Sequence, residues 1–462
     1  MSVLTQPKTH APLKGPFEPS EAAMSQAEST VHKSDKDDAS RGPRIEAEPY
    51  FTSSPFEPTI PPVTSLEDID LTDPDLYMKG DPHAVWRLLR QQAPVFWHKN
   101  GVAPAYKGQN FWCVSTYAGA AQVLGDEDTF SNAEGPFLDV SAETAGITGN
   151  IFTSEGDYHR TWRNAVQPYT SPKAMEKSTA AVAACIKAAV EEHINSDVLD
   201  AAKLAVMLPP KLVCAFFGLE GDEAAAIERM YQWDPETPGV FEFENETFEK
   251  ILADRRSNPK NDAYTASNAD EDSGRLDHHQ AVRYAVAMVQ SSFVGLRSAV
   301  HNTLVTLVHH PDQFAVLREH PEYIENGFAI EEILRWAGHS MHLARRAVKD
   351  TEIMGEKIKS GDVVISLNTS ANRDETVFDD PYRLDVSRKR RRIFTFSTGP
   401  HQCLGQIPTR RTVKALLQYV VTNFQSLEKI GPIAREWSNT VIASHISTLN
   451  IRVTRDHSSE KA

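Results

Sequence analysis

The chain has 462 residues, 40% of them apolar and 24% charged, which suits a globular protein with a sizeable core. A formal net charge of −15 argues against a protein built to neutralise nucleic-acid phosphates. The four cysteines, Cys113, Cys185, Cys214 and Cys403, are too far apart for a CxxC zinc or redox pair and fit a reduced, cytoplasmic setting.

Residues 1–62 are rich in Pro, Ser, Glu, Lys and Asp and read as a disordered leader, because they bury too little apolar surface to offset the entropy of ordering. They contain no apolar core flanked by basic residues, so neither a signal peptide nor a membrane anchor is expected. Residues 63–462 read as one catalytic domain. "PHAVWRLLRQQ" has helical spacing, with Val85, Leu88 and Leu89 on one face, and "FWCVSTYAGAAQVL" is a strand turning into a helix. Residues 131–152 are loop-like. "YHRTWRNAVQPY" is a short basic helix stopped by Pro168, and Ala174 to Leu219 is helical and Ala-rich. The acidic stretch 233–274 predicts a surface loop and short helices. A long apolar helix over 281–308 ends at Pro311, and helical segments continue to Trp336. "TEIMGEKIKSGDVVISL" predicts strands around turns at Gly355 and Gly361, and a last helix spans about 404–424. The expected fold class is mainly α with a small β subdomain. No strand leads into a GxGxxG, and neither GxxxxGK[ST] nor HExxH occurs.

The most specific segment is "FSTGPHQCLG", residues 396–405, which places one cysteine in a glycine-bearing loop that opens a helix. Backbone N–H groups and the positive helix end stabilise a thiolate there. Glycines admit a tight turn and the close approach of a flat ligand. Alone, Cys403 could be an ordinary buried cysteine beside a turn. The spacing F-x-x-G-x-H-x-C-x-G, however, resembles the haem loop of the cytochrome P450 family.

Further segments from about residue 65 onward resemble that family. The resemblance implies the mostly helical P450 fold, with Cys403 as a soft anionic axial ligand to the iron of haem b (iron-protoporphyrin IX). Phe396 would shield the sulfur and Gly399 would let the loop turn. "EILR" is similar to the family's E-x-x-R, giving Glu332 and Arg335, and "DPYRLD" adds Arg383 as the third member of a structural triad. "HRTWR" supplies His159 and Arg163, four apart on one helix face. With Arg345 from "ARRAVKDTE" and His401, they are the cations expected to hold the haem propionates. "SANRDETVFDDP" also resembles a family segment.

In the family, the long helix crosses the oxygen side of the haem and carries G-x-[DE]-T, whose acid and alcohol serve proton delivery. Counted back without gaps from "HHP", Val294 falls at the acid position and Gly295 at the alcohol position. A shifted register would instead assign Arg297 and Ser298. The gapless one is preferred, because the shift loses three residues within a continuous helix. Arg297 then shares a polar stripe with Arg283, Gln290 and His301 and faces away from the haem, whereas Gly295 lies near Ser291 and Ser298. Ser291, Val294 and Gly295 are therefore the candidate catalytic-face residues.

The resemblance implies a monooxygenase of the soluble bacterial type. It would insert one atom of O2 into a small apolar or aromatic molecule, with electrons from a separate ferredoxin or flavodoxin-type donor. The missing acid and alcohol keep a second oxidation open: coupling, ring closure or a peroxide-dependent reaction. A haem-thiolate sensor without turnover is the alternative from another class. "RKRRR", Arg388 to Arg392, reads equally as a docking patch for an acidic donor and as a solvated basic loop. Phe137, Phe241, Phe243, Met341 and Leu343 fall in loops expected to line an apolar pocket.

Overall fold

A 32-residue helix organises the molecule. It runs from His278 to His309 and starts at a capping box in which Asp277 and Gln280 satisfy each other's backbone N–H groups. Its buried side chains, among them Ala281, Ala285, Val289, Leu296, Val300 and Leu304, recur at helical spacing and join the largest apolar cluster. The computed structural model describes residues 58–99, 110–137, 151–232, 240–338, 340–437 and 444–456. Nearly all of the expected leader lies outside them.

In chain order the elements that position the site are α1 (Pro82–Gln92), β1 (Val95–His98), β2 (Phe111–Val114), α2 (Tyr117–Gly125), β3 (Phe130–Ser131), α3 (Gly156–Val166), α4 (Thr179–Glu192), β4 (Ile194–Asn195), β5 (Val198–Asp200), α5 (Ala201–Phe217), α6 (Asp222–Gln232), α7 (Val240–Ser257), α8 (Ala263–Asp272) and α9 (His278–His309). They continue with α10 (Pro311–Glu319), α11 (Phe328–Trp336), β6 (Leu343–Ala347), β7 (Thr351–Ile353), β8 (Glu356–Ile358), β9 (Val363–Ser366), α12 (Gln406–Asn423), β10 (Phe424–Trp437) and β11 (Ser444–Arg455). Helices α4, α5, α9 and α12 pack on one another around the main core. One sheet has the order β1-β2-β9-β6-β3, with β2 and β9 parallel; a second has the order β10-β11-β5-β4. The mainly helical fold with a smaller β part is as expected, and among the described residues no helix is long and apolar enough to cross a membrane.

Three stretches differ from the expectation. The helical run to Leu219 is broken by the β4–β5 hairpin, where Ser196 and Asp197 both take positive φ, the geometry of a tight two-residue turn. The acidic stretch from residue 233 contains the 18-residue helix α7, whose apolar side, Phe248, Ile251 and Leu252, is buried. The charged residues Glu244 and Arg255 are buried on the same helix and mask its periodicity. The strand pair β10–β11 was not anticipated at all, although Ile446, Leu449, Ile451 and Val453 are buried along β11.

Candidate active site

The cysteine loop is held from several sides. Cys403 N–H donates to the Phe396 carbonyl at 2.9 Å, and Phe396 is buried. Gly399 has φ +73°, and a Cβ there would lie 2.5 Å from the Leu124 carbonyl oxygen and 2.9 Å from the Gly125 Cα, so the loop requires glycine against the end of α2. Gly405 is the N-cap of α12, and the Gly405 and Gln406 N–H groups point at the thiol. Cys403 is solvent-accessible, yet burial among protein atoms pushes its thiol pKa up; such a group sits in a recess. The N–H of Gly405, the charges of Arg163 and Arg410 and the N–H of Gln406 act in the opposite direction.

Four nitrogen-bearing side chains converge beside the loop. His159 and His401 stack with ring centroids 4.0 Å apart and planes at 20°. Both Nε2 atoms are buried without a hydrogen-bond partner. Desolvation, then the positive field of Arg163, lowers His159 to about 4. Desolvation, then His159, Arg345 and Arg163, lowers His401 to about 3. Arg163 of α3 donates to the Gln402 carbonyl at 2.8 Å. Arg345 of β6 is buried, lowered to about 10 by desolvation, and donates to Asn132 Oδ1 at 2.8 Å. Its neighbour Arg346 points the other way, to Glu134 and the Gly361 carbonyl. A buried and a half-buried arginine, beside two imidazoles with orphaned nitrogens, match an anionic partner such as a pair of haem carboxylates. The residues present therefore fit that group. Asn132, which links Arg345 to the Phe152 carbonyl and lies 3.4 Å from His401 Nδ1, escaped the sequence reading. A lone Asn in a loop carries no spacing signal.

The charged triad needs a correction. Glu332 and Arg335 form a buried bidentate pair at 2.7 and 2.8 Å. The third side chain is Arg388, whose Nε lies 3.1 Å from Glu332 Oε2, and not Arg383. The Arg383 side chain is exposed, and the fold uses its backbone: its N–H donates to the Asp380 carbonyl at 3.1 Å and its carbonyl accepts from Arg335 and Arg388. The signal for Arg388 was present as the first arginine of "RKRRR". Next to Glu332, Glu331 binds Arg410 of α12 at 2.5 Å and lies 3.8 Å from Arg390.

Helix α9 meets the loop through an apolar cluster: Tyr284 and Trp162 are buried in it, and Met288 and Leu404 pack against it. Tyr284 also donates to the Trp162 carbonyl at 3.0 Å. Ser291 is exposed, Val294 is 37% exposed, and a Cβ built on Gly295 meets no atom within 4 Å. The open side of α9 thus carries the residues of the gapless register, while Ser298 is buried. The polar stripe packs elsewhere. Gln290 donates to Glu244 of α7 at 2.7 Å, His301 lies 3.4 Å from the Ala202 carbonyl, and Arg297 lies in the fields of Glu436 and His445 on β10 and β11. Met341 and Leu343 are partly buried against neighbouring clusters, and Phe137 is half-buried. Phe243 packs on the main core with Arg229 over its ring. The Phe241 side chain is outside the described set.

Comparison with known proteins agrees with this arrangement. The family model "Cytochrome P450" matches residues 244–432. "Cytochrome P450 NovI" of Streptomyces niveus is 28% identical over 86% of this chain and 99% of its own length. Linalool 8-monooxygenase of Pseudomonas putida is 28% identical over 81% of this chain and 96% of its own. Among solved structures, P450 OxyD, described as involved in the biosynthesis of vancomycin-type antibiotics, superimposes with a TM-score of 0.72 at 24% identity, covering 84% of this chain and all of that one. The chain is similar to bacterial cytochrome P450s in sequence and in fold. It has the P450 fold and is an oxidoreductase of a family that binds haem iron.

Proposed function

We propose that this protein is a haem-thiolate monooxygenase that inserts one atom of O2 into a small apolar molecule. Cys403 is the iron ligand, and His159, Arg163, Arg345 and His401 hold the propionates of haem b. The observation that carries this reading is the grouping of Arg163 and Arg345 with two imidazoles whose Nε2 atoms are buried without a partner, beside an accessible thiol. When bound, the haem supplies oxygen activation, favoured by electron donation from a thiolate. The chain's own residues do the rest. Desolvation favours the thiol, and the Gly405 and Gln406 N–H groups and two arginines oppose it in favour of the thiolate. Phe396 limits water at the sulfur, and the Glu332–Arg335–Arg388 triad keeps the loop in register. Electrons come from a separate acidic carrier of the ferredoxin or flavodoxin type. Lys389, Arg390, Arg391 and Arg392 stay exposed just before the cysteine loop and form a surface that would steer it. The ferrous protein with carbon monoxide should absorb at about 450 nm, and Cys403→Ser should abolish that band. A wild-type band elsewhere would refute the ligand assignment.

A second reading has its own observation. The open side of α9 presents Val294 and Gly295 where an acid and an alcohol would hold protons, leaving Ser291 as its polar side chain. Such a face suits a substrate that brings its own labile protons, as in oxidative coupling or ring closure. O2 consumption matched by an oxygenated product, with a ferredoxin supplied, favours insertion; a product with no added oxygen favours coupling.

A further inference from the structure

The cysteine loop is stapled to helix α11 twice. Glu332 supplies one staple through Arg335 and Arg388. The other is formed by the neighbouring Glu331, which the triad does not use. Its carboxylate is buried and takes both Arg410 Nε at 2.5 Å and Arg410 Nη2 at 3.1 Å. Arg410 also donates to Gln406 Oε1 at 3.0 Å, which fixes the guanidinium over the first turn of α12. In that position it stacks over the Phe396 ring, 4.6 Å from the centroid. Phe396 is the residue whose carbonyl accepts from Cys403 N–H, so the cation lies one ring away from the loop that carries the sulfur. Its field at Cys403 favours the anionic form.

We propose that Arg410 and Glu331 are a positioning pair that sets the electron affinity of the Cys403 site. Arg410 supplies a positive charge behind the thiolate, held in place by Gln406 and the Phe396 ring, and Glu331 partly cancels it. This rests on the reading of Cys403 as the iron ligand. Reduction adds one electron to the site, so a nearby positive charge stabilises the reduced form and a negative charge destabilises it. The two members of the pair therefore act with opposite sign. A structural staple would act with the same sign, because losing either end frees the same loop.

The test is the midpoint potential of the haem-loaded protein, titrated without any electron-donor protein. Arg410→Gln should shift it negative, Glu331→Gln should shift it positive, and Arg410→Lys, which keeps the charge, should restore most of the Arg410→Gln shift. Shifts of the same sign, or no shift in either variant, overturn the proposal. If Arg410→Gln fails to load haem, Glu331→Gln and Arg410→Lys still decide: the first must move the potential positive and the second must leave it nearer wild type. The carbon monoxide band separates the two levels of the argument. An absent thiolate band in the wild type defeats the ligand reading, whereas a normal band with unmoved potentials defeats only the pair.

Discussion

Arg383 and Arg388 offer a direct contest between motif and geometry. Arg388 places its side chain against the nearly inaccessible carboxylate of Glu332 and also donates to the carbonyls of Asp379, Asp380 and Arg383. Arg388→Leu removes a cation that lies 3.1 Å from a buried carboxylate, together with its hydrogen bonds to three carbonyls, worth about 2–3 kcal/mol in all, and leaves those carbonyls to water. Glu332 is not abandoned, because Arg335 still holds it through two bonds and the Asp385 N–H donates at 3.0 Å. The loss should therefore be about 2–3 kcal/mol, short of the full cost of orphaning a buried charge. Arg383→Leu keeps the carbonyl that the fold uses and changes only a solvent-exposed side chain, so it should cost under about 0.5 kcal/mol. Urea unfolding of both haem-loaded variants, followed by far-UV circular dichroism and by the haem band, measures the difference. An Arg383→Leu loss equal to or larger than that of Arg388→Leu would refute the assignment.

Three further outcomes are expected. Gly399→Ala should cost about 3 kcal/mol or more, or abolish haem loading, because left-handed backbone strain adds to a clash with the Leu124 backbone, which cannot rotate away; loading and stability at wild-type level would contradict the geometry. Burial raises the Glu244 carboxyl to about 7, against the pull of Gln290 and Arg283. Its contribution is present below the ordinary carboxylate range and is lost as pH rises through 7, so wild type should lose stability between pH 5 and pH 8 relative to Glu244→Gln, by about 1–3 kcal/mol; parallel pH profiles would count against this. Val294→Asp combined with Gly295→Thr should raise the fraction of consumed O2 recovered in product, since both side chains enter the open side of α9; an unchanged or lower fraction would defeat the proton-supply account.

The parts of the fold legible in sequence are those in which one physical pattern dominates. Helix α9 was visible because its apolar spacing runs unbroken for many turns, and its N-terminus needed only the Asp277–Gln280 box to extend it by three residues. The turns at Gly355 and Gly361 were visible because both glycines take positive φ. Helix α7 was hidden because two of its buried residues, Glu244 and Arg255, are charged and satisfied by distant partners, Gln290, Glu223 and Asp262. The break between α4 and α5 hinges on Ser196 and Asp197, in a stretch flanked on both sides by alanine-rich sequence that favours helix. The cysteine loop was legible because Phe396, Gly399, His401 and Gly405 stand at fixed spacings around Cys403. Arg388, Glu331, Asn132 and Arg410 act through contacts made across the fold, which no local spacing announces.

The stacked imidazoles of His159 and His401 have a consequence for how the molecule is assembled. With pKa values held at about 4 and about 3, neither ring accepts a proton readily in the folded chain, whereas both accept one near neutrality once unfolded. Mild acid therefore pulls the cofactor-free chain toward the unfolded state, and the pull strengthens as pH falls below the ordinary histidine range. On the proposed reading, the carboxylates of a bound haem beside these rings would favour their protonated forms and oppose that pull. On that reading haem binding and tolerance of acid are linked through the same two rings, so the haem-loaded protein should withstand mild acid better than the haem-free chain.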